Sequence, residues 1–79
     1  MKPGDFVVMW NGYPRPAAYY GVVRAIDGDQ VTVWEEFRGK QDVWKLGTWT
    51  VVDSDKIPAS SLEKLKRAAG QESDGQPRP

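Results

Sequence analysis

Apolar positions along this chain come in short alternating clusters separated by turn residues, a pattern that predicts strands rather than long helices. Phe6-Val7-Val8-Met9-Trp10 lies between Pro3-Gly4-Asp5 and Asn11-Gly12. β-Branched and aromatic residues between turn signals predict a first strand over 6–10. Tyr13-Pro14-Arg15-Pro16 follows. Its prolines lack N–H groups and cannot join a central ladder, so this segment is a loop. A second strand is predicted over 17–26, and Gly21 within it marks a bulge, a sharp bend or a close backbone approach. Asp27-Gly28-Asp29 is a tight hairpin turn, and 30–37 is a third strand. Alternation puts Val31 and Val33 on one face of that strand, with Thr32 and Trp34 on the other. In the first strand Val7 and Met9 share a face, and Trp10 lies opposite.

The second half is less regular. Gly39 and Gly47 bracket the stretch 38–47, in which Val43-Trp44 reads as a short strand or as a packed loop. Thr48-Trp49-Thr50-Val51-Val52 has high β-propensity and predicts a fourth strand. Asp53-Ser54-Asp55 reads as a turn or bulge. Two endings compete. Ser60-Ser61-Leu62-Glu63 matches a capping box with Ser60 as N-cap and Glu63 at N3. Leu62, Leu65 and Ala69 then share a helical face, Glu63 and Arg67 pair at i,i+4, and Gly70 takes the C-cap, which gives a helix over 61–69. The alternative is a 3₁₀ turn over 57–61 leading to a closing strand over 62–65. Gln-Glu-Ser-Asp-Gly-Gln-Pro-Arg-Pro at the end has no apolar residue besides proline, so 70–79 is expected to be a flexible tail. The expected architecture is mainly β: one domain over 1–69, a strongly bent antiparallel sheet or small barrel of four to five strands with a short C-terminal helix.

The order of these elements resembles a small Src-homology-3-like barrel, and within that group the Tudor and chromo-barrel type. The residues that carry the likeness are Gly4-Asp5-Phe6-Val7, then Tyr20-Gly21-Val22-Val23-Arg24-Ala25-Ile26, Asp27-Gly28-Asp29-Gln30-Val31-Thr32-Val33, and Ile57-Pro58-Ala59-Ser60-Ser61-Leu62. The likeness covers residues 3–65. The stretch 38–47 is longer than a minimal Tudor hairpin, and a terminal helix also departs from the pattern. The resemblance implies a closed barrel that binds partners through aromatics near the loop after the first strand and along the second to fourth strands. Here that region holds Trp10, Tyr13, Tyr19 and Trp34. It also implies, as one form, an aromatic cage for a methylated ammonium, with Glu35 and Glu36 as its acidic neighbours.

Composition narrows the functions. The chain has 79 residues, no cysteine and no histidine. That removes disulfides, thiolate or imidazole metal sites, and cysteine or Ser-His-Asp nucleophiles. Eleven basic residues balance eleven acidic ones, so there is no bulk attraction to phosphate or anionic lipid. The apolar run 6–10 falls short of the roughly 7–15 residues of a secretory signal, and nothing approaches the ~18–20 of a membrane span. A soluble cytoplasmic protein is expected. The carboxylate pairs Asp27/Asp29, Glu35/Glu36 and Asp53/Asp55 read as turn residues, Asp53-Ser54-Asp55 lacking the glycine and distal glutamate of a calcium loop. No nucleophile–base set, phosphate loop or metal spacing is present, so the chain is expected to be no enzyme and to carry no cofactor or metal.

Four tryptophans and three tyrosines then stand out. A chain this small needs some of them for its core. Trp49 is assigned there, while Trp44 depends on the course of 38–47. Trp10 and Trp34 lie opposite the aliphatic faces of their strands, exposed or covered by the 38–47 stretch, the terminal helix or a partner. The expected function is a non-catalytic interaction module that binds a protein or peptide through Trp10, Tyr13, Tyr19 and Trp34, with Glu35 as charge partner. One alternative is a nucleic-acid-binding barrel using Arg38, Lys40, Trp44 and Lys45, although Glu35, Glu36 and Asp42 offset those charges. Another is a structural subunit of a larger assembly such as a phage particle. The basic residues Lys56, Lys64, Lys66 and Arg67 read as a solvated face.

Overall fold

A computed structural model describes residues 1–73, with side chains as far as Gly70. Strands run over Phe6–Asn11 (β1), Ala17–Asp27 (β2), Gln30–Glu35 (β3), Lys40–Lys45 (β4) and Thr50–Val51 (β5), and a helix over Ala59–Ser73 (α1). All pairings are antiparallel, and the single five-stranded sheet has the order β4-β3-β2-β1-β5. The expected mainly β architecture with a C-terminal helix is therefore present. The sheet is not closed into a barrel. β4 and β5 are its two edges, and β5 is too short to bridge back to β4.

Both faces of the sheet are used, and the alternation of side chains decides which residue goes where. Val7, Val23, Val31 and Val33 form a buried cluster with Trp49, and Met9, Ile26, Trp44 and Leu46 pack at its margin. On the other face Val22 meets Ile57, Leu65 and Ala68, with Phe6, Tyr20, Trp34, Val52 and Leu62 around them. In β2 the odd positions up to Val23 face the first cluster. Ile26 faces it too, because the register shifts between Val23 and Ala25, leaving Arg24 as a bulge. The extra residue re-phases the strand, so both halves of an 11-residue strand supply one core.

Gly21 solves a different problem. It stands directly opposite Val7 and Glu35 in the sheet. A Cβ there would run into Val33 Cγ1 and lie 2.8 Å from the carbonyl oxygen of Trp34, with Trp49 3.5 Å away. Of the three sequence readings of Gly21, the close approach is the one realised, and the bulge falls at Arg24.

Elements in the second half depart from expectation. The third strand stops at Glu35 rather than at 37, because Glu36–Gly39 turns the chain. The ambiguous stretch becomes a full strand, β4, paired along its length with β3. The predicted strand 48–52 shrinks to Thr50–Val51, since Leu46–Thr48 forms a 3₁₀ turn and Trp49 drops into the first core. Burial of that indole outweighs the local β-propensity of its neighbours.

The helical ending is the one adopted, and no closing strand forms over 62–65. The helix begins at Ala59, ahead of the expected start at 61. The Leu62 N–H donates to the carbonyl of Pro58 at 2.8 Å, so Pro58 opens the helix and Ser60 lies inside the first turn rather than capping it. A proline has no N–H to lose at a helix start, and the preceding Ile57 is anchored in the second core. The helix also continues through Gly70 to Ser73, so Gly70 is not a C-cap. The expected tail beyond Ser73 lies outside the described residues. Leu65 and Ala68 bury the inner face of α1 against β2. Among the described residues no helix is long and apolar enough to cross a membrane.

Core substitutions should report on both faces. Gly21→Ala should destabilise the fold by about 2 kcal/mol through overpacking, lowering the thermal midpoint by on the order of 10 °C in circular dichroism. Leu65→Ala should cost about 3 kcal/mol in urea unfolding, because its cavity opens between helix and sheet.

Candidate functional site

The first face is only half roofed. Leu46 covers the end near the β2–β3 turn, Trp49 reaches in as far as Gly21, and beside the β3–β4 turn the face stays open as a cleft of about 360 Å³. The cleft is built outward from Glu35, the last residue of β3. Its backbone carbonyl accepts the Gly39 N–H at 2.8 Å, which closes the turn. Gly39 sits at φ +69°, the left-handed region that favours glycine. The turn carries Phe37 and Arg38 beside the cleft.

Glu35 is the one buried charged residue among the described residues, with its side chain 7% exposed. A buried carboxylate is costly unless its oxygens receive donors. Here three arrive. Arg38 Nε donates to Oε1 at 2.8 Å and Arg38 Nη2 to Oε2 at 2.8 Å, a bidentate grip. Trp44 Nε1 donates to Oε2 at 2.9 Å. Arg38 Nη2 also donates to Asp42 Oδ2 at 2.9 Å. The hydrogen bond to Glu35, then that to Asp42, holds the Arg38 guanidinium above its ordinary range. The Asp42 carboxyl is held below its ordinary value, first by the Val43 N–H that donates to Oδ1 at 2.9 Å and then by Arg38.

Tethered by Glu35, the Trp44 ring stands edge-on to Trp49 with centroids 5.7 Å apart. Opposite, Tyr19 and Phe37 form an edge-to-face pair at 5.0 Å. Met9 contributes an apolar patch and Asn11 a polar one at the rim. The cleft is therefore aromatic and thioether in its walls, with a paired acid–base network along one side. Its volume lies at the lower end of the roughly 300–1,000 Å³ of ligand pockets.

Of the five residues expected to bind a protein or peptide, Tyr19 and Glu35 meet in this cleft, together with Arg38 and Trp44 of the nucleic-acid alternative. The other three are elsewhere. Trp34 points to the opposite face and packs half-buried in the core beneath α1. Trp10, next to last in β1, lies on that same side by alternation and is 61% exposed. Tyr13 stands almost fully in solvent in the β1–β2 loop. The five do not converge on one cage. Of the alternative nucleic-acid set, Arg38 is engaged by two carboxylates and Trp44 is turned inward on Trp49. Lys40 and Lys45 are exposed at opposite ends of β4.

Met9, Phe37 and Asp42 join the cleft without having been singled out from the sequence. The strand expected over 30–37 includes Phe37, which the structure puts in the turn after β3. Gly39 two residues on was the local sign that the chain turns there and re-aims that ring. Elsewhere, Lys64 of α1 donates to Glu36 at 3.3 Å, tying the turn to the helix. Among the described residues no group of His, Cys, Asp or Glu is arranged to hold a metal ion. No family model matches the chain, and no curated protein or solved structure matches it either.

The Asp42 network has a checkable pH signature. Because its folded value lies below the ordinary 3.8, Asp42 contributes stability that is present above that value and is lost as pH falls through the folded one. Arg38→Gln should move the Asp42 midpoint upward in a carboxyl-carbon NMR titration. It should not restore the ordinary value fully, since the Val43 N–H remains.

Proposed function

We propose that the protein is a non-catalytic interaction module and that the cleft beside the β3–β4 turn is where it holds a protein or peptide partner. The carrying observation is the exposed Phe37, 69% open to solvent, packed edge-to-face on Tyr19 beside a recess with aromatic and charged walls. Leaving a large ring in water has no folding benefit, and such rings beside a recess are typical anchors of protein contacts. The rigid hydrogen-bonded wall opposite, from Glu35 to Trp44, keeps the recess preformed, so little ordering free energy is lost on binding.

A Src-homology-3-like relationship is part of this proposal. What supports it is the meander of β1 to β4, a 3₁₀ turn after β4, and the return of the chain to place β5 beside β1. A Tudor-type cage built from Trp10, Tyr13, Tyr19 and Trp34 draws no support from their separated positions.

A random-peptide display library panned against the whole chain tests the reading. Enrichment should occur on the native protein and drop by roughly thirtyfold in affinity with Phe37→Ala, the loss of about 2 kcal/mol of a hot-spot ring. That variant should cost no more than about 1.5 kcal/mol in stability, because the ring is exposed and the packing it loses is the edge-to-face contact with Tyr19. A library that yields no binder, or only binders indifferent to Phe37→Ala, would sink the proposal.

A further inference from the structure

We infer that the cleft selects a neutral apolar side chain, aromatic or long aliphatic, from an extended peptide segment, and that Arg38 Nη1 receives a backbone carbonyl beside it. This rests on the binding-module reading above and adds the chemical class of the ligand.

Charge balance argues first. The cleft is lined by two carboxylates, Glu35 and Asp42, and one guanidinium, Arg38. Lys40 stands opposite Glu35 in the register, and its charge acts on Asp42 as well. These four charges cancel. Glu35 already accepts from three donors, and Asp42 from two. An incoming ammonium would face Arg38 and Lys40, and an incoming carboxylate would face Glu35 and Asp42. Either would meet like charges in this network as well as opposite ones, so neither gains a net attraction. A neutral side chain meets no repulsion and gains the walls formed by Met9, Tyr19 and Phe37.

Unused donor capacity argues second. A guanidinium carries five N–H groups in a fixed fork. In Arg38 the recorded bonds leave from Nε and Nη2, and among the described residues nothing accepts from Nη1. The bidentate grip of Glu35 holds the plane of the fork, so the Nη1 donors are oriented before any ligand arrives. The Arg38 side chain is 38% exposed, so these donors are open to an incoming acceptor, and with Asp42 beside the fork a neutral one is favoured over an anion. A peptide carbonyl meets that condition, and it occurs next to every side chain in an extended segment.

The test uses binders selected by display on the unaltered chain, followed by residue scanning and titration calorimetry. Binders sensitive to Phe37→Ala should share a Trp, Phe, Tyr, Leu or Met anchor. Their dissociation constants should change by less than about twofold between about 50 and 500 mM salt, since no net charge is neutralised. The Trp44 indole N–H resonance should shift on binding, and Arg38→Lys should weaken binding by about tenfold through loss of the forked donor. The anchor scan and the salt titration need no variant of the turn, so they decide the matter even where Arg38→Lys loosens it. Binders that depend on Phe37 but carry an Arg, Lys, Asp or Glu anchor would overturn the inference and leave the module intact. So would an affinity that falls tenfold or more across that salt range. Absence of any Phe37-dependent binder removes the module itself.

Discussion

One buried carboxylate organises the part of this molecule that faces outward. Glu35 ends β3 with its side chain on the valine-lined face, where an unpaired charge would be strongly unfavourable. Its donors come from the turn that follows and from the strand after that. Satisfying one carboxylate therefore fixes the direction of Arg38, the facing of Trp44, and through Trp44 the contact with Trp49 that roofs the first core. The cleft is what remains of that face once Glu35 has drawn its partners to one side.

The sheet imposes a second condition. Among the described residues, five strands have two faces to cover and one α-helix to cover them with. The helix takes the side that holds Val22 and Trp34, and its cluster closes with Ile57, Leu65 and Ala68. The other side has Trp49 and Leu46 from the segment after β4, with the Trp44 ring leaning over from β4 itself, and these leave the cleft open. Gly21 makes this arrangement possible. Opposite Glu35, it lets β2 and β3 approach more closely than a Cβ would permit, since one would run into Val33 and the Trp34 carbonyl. The open half of the sheet is what Trp49, Leu46 and Trp44 leave uncovered.

Legibility in the sequence followed the range of the forces involved. β1, β2, β3 and the hairpin at Gly28-Asp29 are written in local alternation and turn residues, and the structure keeps them with small shifts at their ends. The face of each tryptophan in β1 and β3 was also legible, since alternation is a property of the strand itself. β4 was not, because Lys40–Lys45 has a single exposed valine and a half-buried tryptophan, and becomes a strand through pairing with β3. Thr50–Val51 shows the reverse case. Its neighbours carry strong β-propensity, yet burial of Trp49 interrupts the strand. The capping box at Ser60 and Glu63 was a sound local signal that lost to Pro58 and the anchored Ile57 next to it.

The candidate site divides along the same line. Residue types alone settled that this chain works without histidine or cysteine chemistry, and that aromatics exceed what a small core requires. Tyr19 and Glu35 could be singled out as chemistry-bearing residues on their strands. That they meet each other, with Phe37, Arg38 and Asp42 around them, depends on the β3–β4 turn and on the network of bonds to one carboxylate. That Trp34 is lost to the surface depends on which face the helix chooses. Local pattern determines which side of a strand a residue occupies. Only packing decides what covers that side, because the cost of burying a charge or exposing a ring is set by neighbours distant in the chain.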